Sequence, residues 1–148
     1  MKITVCGSII FFGKMQEIGY ELEKMGHEII LPPEEVKNKE GNLISVAEYY
    51  AMRKAAADDN DWILEKKGKA MKNHFANVAK ADAILVLNYE KNGIPNYVGA
   101  NTFLEMGIAF HYQRKIFLLN SIPDISFKEE ILAMKPIVIV GDLSLIKP

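Results

Sequence analysis

The sequence predicts an α/β domain of the flavodoxin-like, doubly wound kind, with a five-stranded parallel sheet in the order 2-1-3-4-5. Three observations carry that reading. Short apolar runs recur at residues 2–6, 28–31, 83–87, 116–119 and 137–140. Stretches with helical spacing separate them, which is the alternation expected of β-strands joined by crossover helices. The third run, Ala83-Ile84-Leu85-Val86-Leu87, is apolar at every position, as suits a central parallel strand covered on both faces.

Lys2 to Cys6 reads as the first strand and ends at Gly7-Ser8. Met15, Ile18, Leu22 and Met25 repeat at helical spacing, so residues 14–25 form an amphipathic helix stopped by Gly26. Glu28 to Leu31 is the second strand, closed by Pro32-Pro33. Strand, helix and strand make a right-handed βαβ unit. Residues 34–45 read as a polar loop turning at Lys39-Glu40-Gly41-Asn42. Val46 to Lys80 is mostly helical, with Leu64, Met71, Phe75 and Val78 on one face and Asp58-Asp59-Asn60-Asp61 as punctuation and cap. Asn101 to Gln113 is a helix apolar on nearly every side, and therefore deeply packed. Ile116 to Leu119, a short helix over 124–134, and Ile137 to Val140 complete the domain, which spans residues 1–148.

The chain of 148 residues suits one domain with a real core. A formal net charge of −1 gives no field favouring nucleic acid or an anionic membrane. No apolar run reaches the ~20 residues needed to span a bilayer. The N-terminus enters a strand with no signal-peptide pattern. The single cysteine, Cys6, cannot form an internal disulfide; it reads as a buried small residue in a reducing, cytoplasmic setting. The acidic run at 58–61 lacks the glycine and distal glutamate of a calcium loop. Neither a metal nor a cofactor is expected.

In a doubly wound sheet, ligands bind beyond the C-terminal ends of the strands where the strand order reverses. The loops after strand one, at Gly7-Ser8, and after strand three, at Asn88, face each other there. Backbone N–H groups and the Ser8 hydroxyl suit a phosphate or a sugar hydroxyl, or simply a turn and helix cap. Asn88 and Asn120 suit a base or sugar edge, or equally a turn. Glu105 opens the helix after strand three. In a first turn, beside backbone N–H groups, its carboxylate stays ionised and can act as a nucleophile. Thr102-x-x-Glu105 is also the pattern of a capping box, and Asn101 and Thr102 compete for the N-cap. His74, on the helix before strand three, is a candidate general acid at neutral pH. His27, His111 and Asp82 read as structural, and Tyr49, Tyr50 and Trp62 as packing or base-stacking aromatics.

With these residues in view, the chain resembles the nucleoside 2-deoxyribosyltransferase superfamily, which includes 2′-deoxynucleoside 5′-phosphate N-hydrolases. The resemblance runs through Val5-Cys6-Gly7-Ser8, Gly26-His27-Glu28 and Ala81-Asp82-Ala83-Ile84-Leu85-Val86-Leu87. It is strongest over Gly99 to Ala109, where Glu105-Met106-Gly107-Ile108-Ala109 matches the family's Glu-x-Gly-x-Ala, and over Lys115-Ile116-Phe117-Leu118-Leu119. It implies a double displacement in which Glu105 attacks C1′ and water or a second base resolves the glycosyl ester. His74 stands where family members carry an aspartate that assists the departing base, and the loop before Glu105 is longer than usual. The reading that follows is a nucleoside- or nucleotide-binding domain. Its leading form is an enzyme acting at the N-glycosidic bond; the alternatives are a non-catalytic nucleotide-binding or sensing module and a purely structural or interaction domain in which Glu105 only caps its helix. Glu105 is the nucleophile, His74 the acid or orienter, and Gly7, Ser8, Asn88, Gly99, Asn101 and Asn120 the binding residues. The resemblance and the apolar helix at 101–113, with the stretch Val46 to Met52, predict a homodimer or larger even assembly.

Overall fold

The structure is a computed structural model that describes residues 1–56 and 60–148. Asp58 and Asp59 of the acidic run lie outside the described residues. Its main sheet contains β1 (Lys2–Gly7), β2 (Glu28–Ile30), β5 (Ala83–Leu87), β6 (Lys115–Leu118) and β7 (Ile137–Val138), in the order β2-β1-β5-β6-β7. Every pairing in this sheet is parallel. Numbered within the sheet alone, this is the predicted order 2-1-3-4-5.

Period-two alternation divides the core between the two faces. Ile3, Val5, Leu85, Leu87 and Phe117 point to one face, where Met15 and Leu22 of α1 (Phe12–Lys24) and the C-terminal Ile139 and Ile146 cover them. Cys6, Ile84, Val86, Ile116 and Leu118 point to the other. There Val78 of α3 (Asp61–Lys80), Met106 and Ala109 of α4 (Ala100–His111) and Ile131 of α5 (Lys128–Ala133) pack on them. All five residues of β5 are buried, as its unbroken apolar composition requires. Asp82 accepts a 2.7 Å bond from the Lys2 N–H and ties the start of β5 to β1.

Three points add to or change the expectations. Residues 34–45 are not simply loop: β3 (Glu35–Lys37) and β4 (Leu43–Ser45) pair as an antiparallel hairpin about the predicted turn. The short strands explain the miss, since only Val36 and Ile44 of this hairpin are partly covered apolar residues, too few for a visible alternation. Second, α2 (Val46–Ala55) begins with a capping box at Ser45, whose hydroxyl accepts from the Glu48 N–H while the Glu48 carboxylate accepts from the Ser45 N–H. Asn60 caps α3 through the Ile63 N–H. Third, α4 is not packed all round, because Leu104 and Phe110 are about half exposed. The buried side includes Thr102 and Glu105 while Leu104 and Phe110 are exposed, so composition alone does not mark the uncovered side.

The long connection after β5 is itself folded. Asn92 and Gly93 both adopt positive φ, 53° and 78°, and Lys91 and Ile94 exchange backbone bonds of 3.1 and 3.0 Å across them. This is the geometry that an Asn-Gly pair favours in a tight hairpin. It holds Lys91 over the end of β1.

Candidate active site

A crevice of about 310 Å³ opens at the C-terminal edge of the sheet. It lies beyond the ends of the paired strands β1 and β5, where the strand order reverses. Gly7 and Ser8 line it from the end of β1, and Gly99, Asn101, Thr102 and Glu105 from the start of α4. His74 and Met71 enter from α3, and Tyr49, Tyr50, Arg53 and Lys54 from α2. The hairpin β3–β4 and Pro32-Pro33 supply the remaining wall through Val36. Gly7 is required by its conformation: φ is +153°, and a Cβ there would stand 3.1 Å from the Leu87 carbonyl oxygen.

Glu105 is the centre of the floor. The helix starts two residues earlier than an Asn101 cap would dictate and three earlier than a Thr102 cap would, with Gly99 as its N-cap. Thr102 is therefore inside the helix and forms no capping box, and Glu105 lies in the second turn rather than the first. Its Oε1 accepts a 2.7 Å bond from Asn101 Nδ2, and its Oε2 is buried with no hydrogen-bond partner. So placed, it gains little from the helix N-terminus, whose field fades within the first turn. Burial dominates instead and pushes its carboxyl up to about 7, with a Cys6 contact opposing. The expected permanently ionised carboxylate is replaced by one that changes charge near neutrality.

His74 Nε2 stands 3.7 Å from Glu105 Oε1 and 3.6 Å from Cys6 Sγ. The first distance suits an ion pair, but burial pulls His74 down to about 4, so at neutral pH its ring is uncharged and the contact is not ionic. The ring is then in the form suited to orienting neighbours rather than to the neutral-pH acid role that sequence position suggested. Cys6 is fully buried, and burial followed by the Glu105 charge raises its thiol well above the usual range.

The structure brings Gly7, Ser8, Gly99, Asn101, His74 and Glu105 together around the crevice. It does not bring Asn88 and Asn120 there. Asn88 is fully buried, accepting from the Asn120 N–H at 2.8 Å and donating to the carbonyls of Asn120 and Ser121 at 3.2 and 2.9 Å. Asn120 Nδ2 returns a 3.2 Å bond to the Asn88 carbonyl. The pair ties the loop after β5 to the loop after β6, and the Asn88 side chain has no donor left for a ligand.

The mouth is cationic, which sequence reading missed. Arg53, Lys54, Lys67 and Lys91 all line it. Lys91 Nζ donates to Ser8 Oγ at 2.9 Å, and Lys91, Lys54 and Arg53 each lie within 6 Å of the Tyr50 ring. These cations come from α2, α3 and the Asn92-Gly93 hairpin, and a net charge of −1 conceals their convergence. The Tyr49–Tyr50 pair was the available signal.

Comparison with solved structures follows the same architecture. The fold is similar to that of a 2-deoxyribosyltransferase. That enzyme, from Bacillus psychrosaccharolyticus, superposes with a TM-score of 0.51 at 13% identity, over 80% of this chain and 71% of its own. The Clostridium botulinum CMP N-glycosidase BcmB aligns over 93% of this chain and 85% of its own, with a TM-score of 0.47 and 13% identity. No family pattern and no curated protein matches the sequence. Among the described residues, no helix is long and apolar enough to cross a membrane.

Proposed function

We propose that the crevice binds a nucleoside or nucleotide and breaks or transfers its N-glycosidic bond, with Glu105 as nucleophile. The observation that carries this reading is Glu105, a residue that lines the open crevice and whose buried Oε2 has no partner. Once ionised, it attacks C1′, the bond from C1′ to the base nitrogen breaks with its electron pair leaving on the base, and a glycosyl ester forms. Water or an acceptor base then attacks C1′ and frees the carboxylate, as in retaining glycosidases. Asn101 holds Oε1, leaving Oε2 for the reaction, and neutral His74 packs against that same Oε1 at 3.7 Å. The departing base takes its proton from water at the open mouth. No cofactor is needed for these steps.

The cations at the mouth favour a phosphorylated substrate. A panel of nucleosides and nucleoside monophosphates, read out as free base, tests the function and this preference together. Base release from the monophosphates is expected. Lys91→Met should raise their KM by roughly tenfold or more, the worth of a charge-assisted hydrogen bond, and leave nucleosides unaffected. Binding of the panel without any base release would instead support the sensing module.

The exposed apolar residues Leu104 and Phe110 of α4, with Tyr112 just past its end, support a homodimer or larger even assembly. Val46 and Tyr49, expected at the surface, are buried within the chain itself and leave Met52, with Ala47, as exposed apolar residues of that stretch. Light scattering at micromolar concentration should exceed the 16.7 kDa of one chain by an even multiple. A strict monomer would reject the assembly.

A further inference from the structure

We propose that Cys6, His74 and Glu105 form a Zn²⁺ site, with three protein ligands and a fourth position open to the crevice. Cys6 Sγ and His74 Nε2 are 3.6 Å apart, His74 Nε2 and Glu105 Oε1 are 3.7 Å apart, and the three ligand atoms all lie within 4.8 Å of one another. Tetrahedral zinc, with bonds of about 2.3 Å to sulfur and about 2.0–2.1 Å to nitrogen and oxygen, holds neighbouring ligand atoms roughly 3.3–3.6 Å apart. Only small side-chain shifts separate the cluster from that geometry. Its members come from β1, α3 and α4, three packed elements, so the spacing is set before any ion arrives.

A second observation points to a ligand. Glu105 is 3% exposed, yet its Oε2 has no hydrogen-bond partner, which is uncommon for a buried polar atom. The 3.7 Å approach to His74 is made by Oε1, which Asn101 also holds at 2.7 Å; a turn of the carboxylate that brings Oε2 to the ion supplies the missing interaction. The donor set selects the ion: sulfur and imidazole with one carboxylate suit zinc, whereas calcium and magnesium take oxygen ligands. On binding, a Zn–S bond forms and the Cys6 thiol proton passes to solvent; Glu105 also releases its carboxyl proton when it carries one. Zinc and C1′ then compete for the same carboxylate, so the bound ion blocks the nucleophile. The metal site does not depend on the glycosidase reading, because no nucleoside takes part in its geometry.

The test uses chelator-treated full-length protein and Co²⁺ alone. A near-ultraviolet thiolate-to-cobalt charge-transfer band, saturating at one ion per chain and erased by Zn²⁺, is expected. Because Cys6 is the single cysteine, that band names its ligand without any variant. Zinc affinity, measured against a competing chromophoric chelator, should fall by roughly a hundredfold or more in Cys6→Ser and in His74→Gln, beyond what loss of an outer-shell partner costs. His111→Ala, at an exposed histidine, should bind as the parent does. A missing charge-transfer band, or parental affinity in a folded Cys6→Ser, overturns the site. If Cys6→Ser does not fold, the cobalt spectrum of the parent decides. Base release is assayed with chelator present, so failure of either proposal leaves the other intact.

Discussion

In chelator-treated protein, Glu105→Gln should end base release, lowering kcat/KM by roughly a thousandfold or more while the fold survives. Glutamine keeps the shape and can still meet Asn101, but its amide oxygen does not form a stable glycosyl ester. The parent should also show a limb set by Glu105. Below pH about 7 the carboxyl is protonated, and kcat/KM should fall about tenfold per pH unit; above it, the rate should level. His74 titrates near 4, so His74→Ala should slow the reaction yet leave a limb near neutrality. Steady-state rates across pH on parent and both variants decide the matter. Unchanged turnover in Glu105→Gln removes the nucleophile. A limb that vanishes in His74→Ala returns the neutral-pH role to the imidazole.

The sheet was legible because its signal is local and redundant. Ala83 to Leu87 is apolar at every position, and only a strand covered on both faces tolerates that. Alternation with helical stretches then left few topologies to choose from. The β3–β4 hairpin was not legible, since its three-residue strands carry little apolar alternation. The start of α4 was misplaced by the strength of Asn101 and Thr102 as caps. Gly99 precedes them, and its lack of a Cβ lets the Tyr97 ring close over that turn, where a Cβ would meet Tyr97 at 3.2 Å. Packing decided between caps of similar intrinsic strength.

The candidate site was legible where the chain is constrained by strand ends. Gly7, Ser8 and Glu105 follow from the strand order, because the reversal point fixes which loops meet. What did not follow was each residue's electrostatic state. Sequence position put Glu105 beside a helix N-terminus and His74 at its ordinary pKa. Three-dimensional burial reverses both, raising the acid and depressing the base. Asn88 failed for a related reason. A strand-end asparagine can face a ligand or a neighbouring loop, and only the position of Asn120, 32 residues later, decides that it faces the loop. The Cys6 thiol belongs to the same class: an inert core residue by composition, it lies against His74 only because β1 and α3 pack.

The Glu105 and His74 shifts have opposite consequences for stability, and their cancellation is a sharp expectation. Glu105 has a folded value of about 7 against an ordinary 4.5, so folding favours its protonated form. Its burial costs nothing where both states are protonated, below about 4.5; the cost grows through the interval and reaches about 3 kcal/mol above 7. His74 has a folded value of about 4 against 6.5, so folding favours its neutral form. It costs nothing above 6.5 and about 3 kcal/mol below 4. From 4.5 to 6.5 the two slopes are equal and opposite, and this pair should add no pH dependence to the parent. Glu105→Gln removes one slope and leaves the other. The variant should be more stable than the parent by up to about 3 kcal/mol at pH above 7, and the advantage should fade to nothing as pH drops to 4.5. Urea unfolding of both proteins in chelator, across this range, reads the difference directly, since every other titrating group is common to the two and subtracts out. A variant no more stable than the parent at alkaline pH would mean that Glu105 is ionised in the fold at little cost, and that its buried oxygen finds a partner after all.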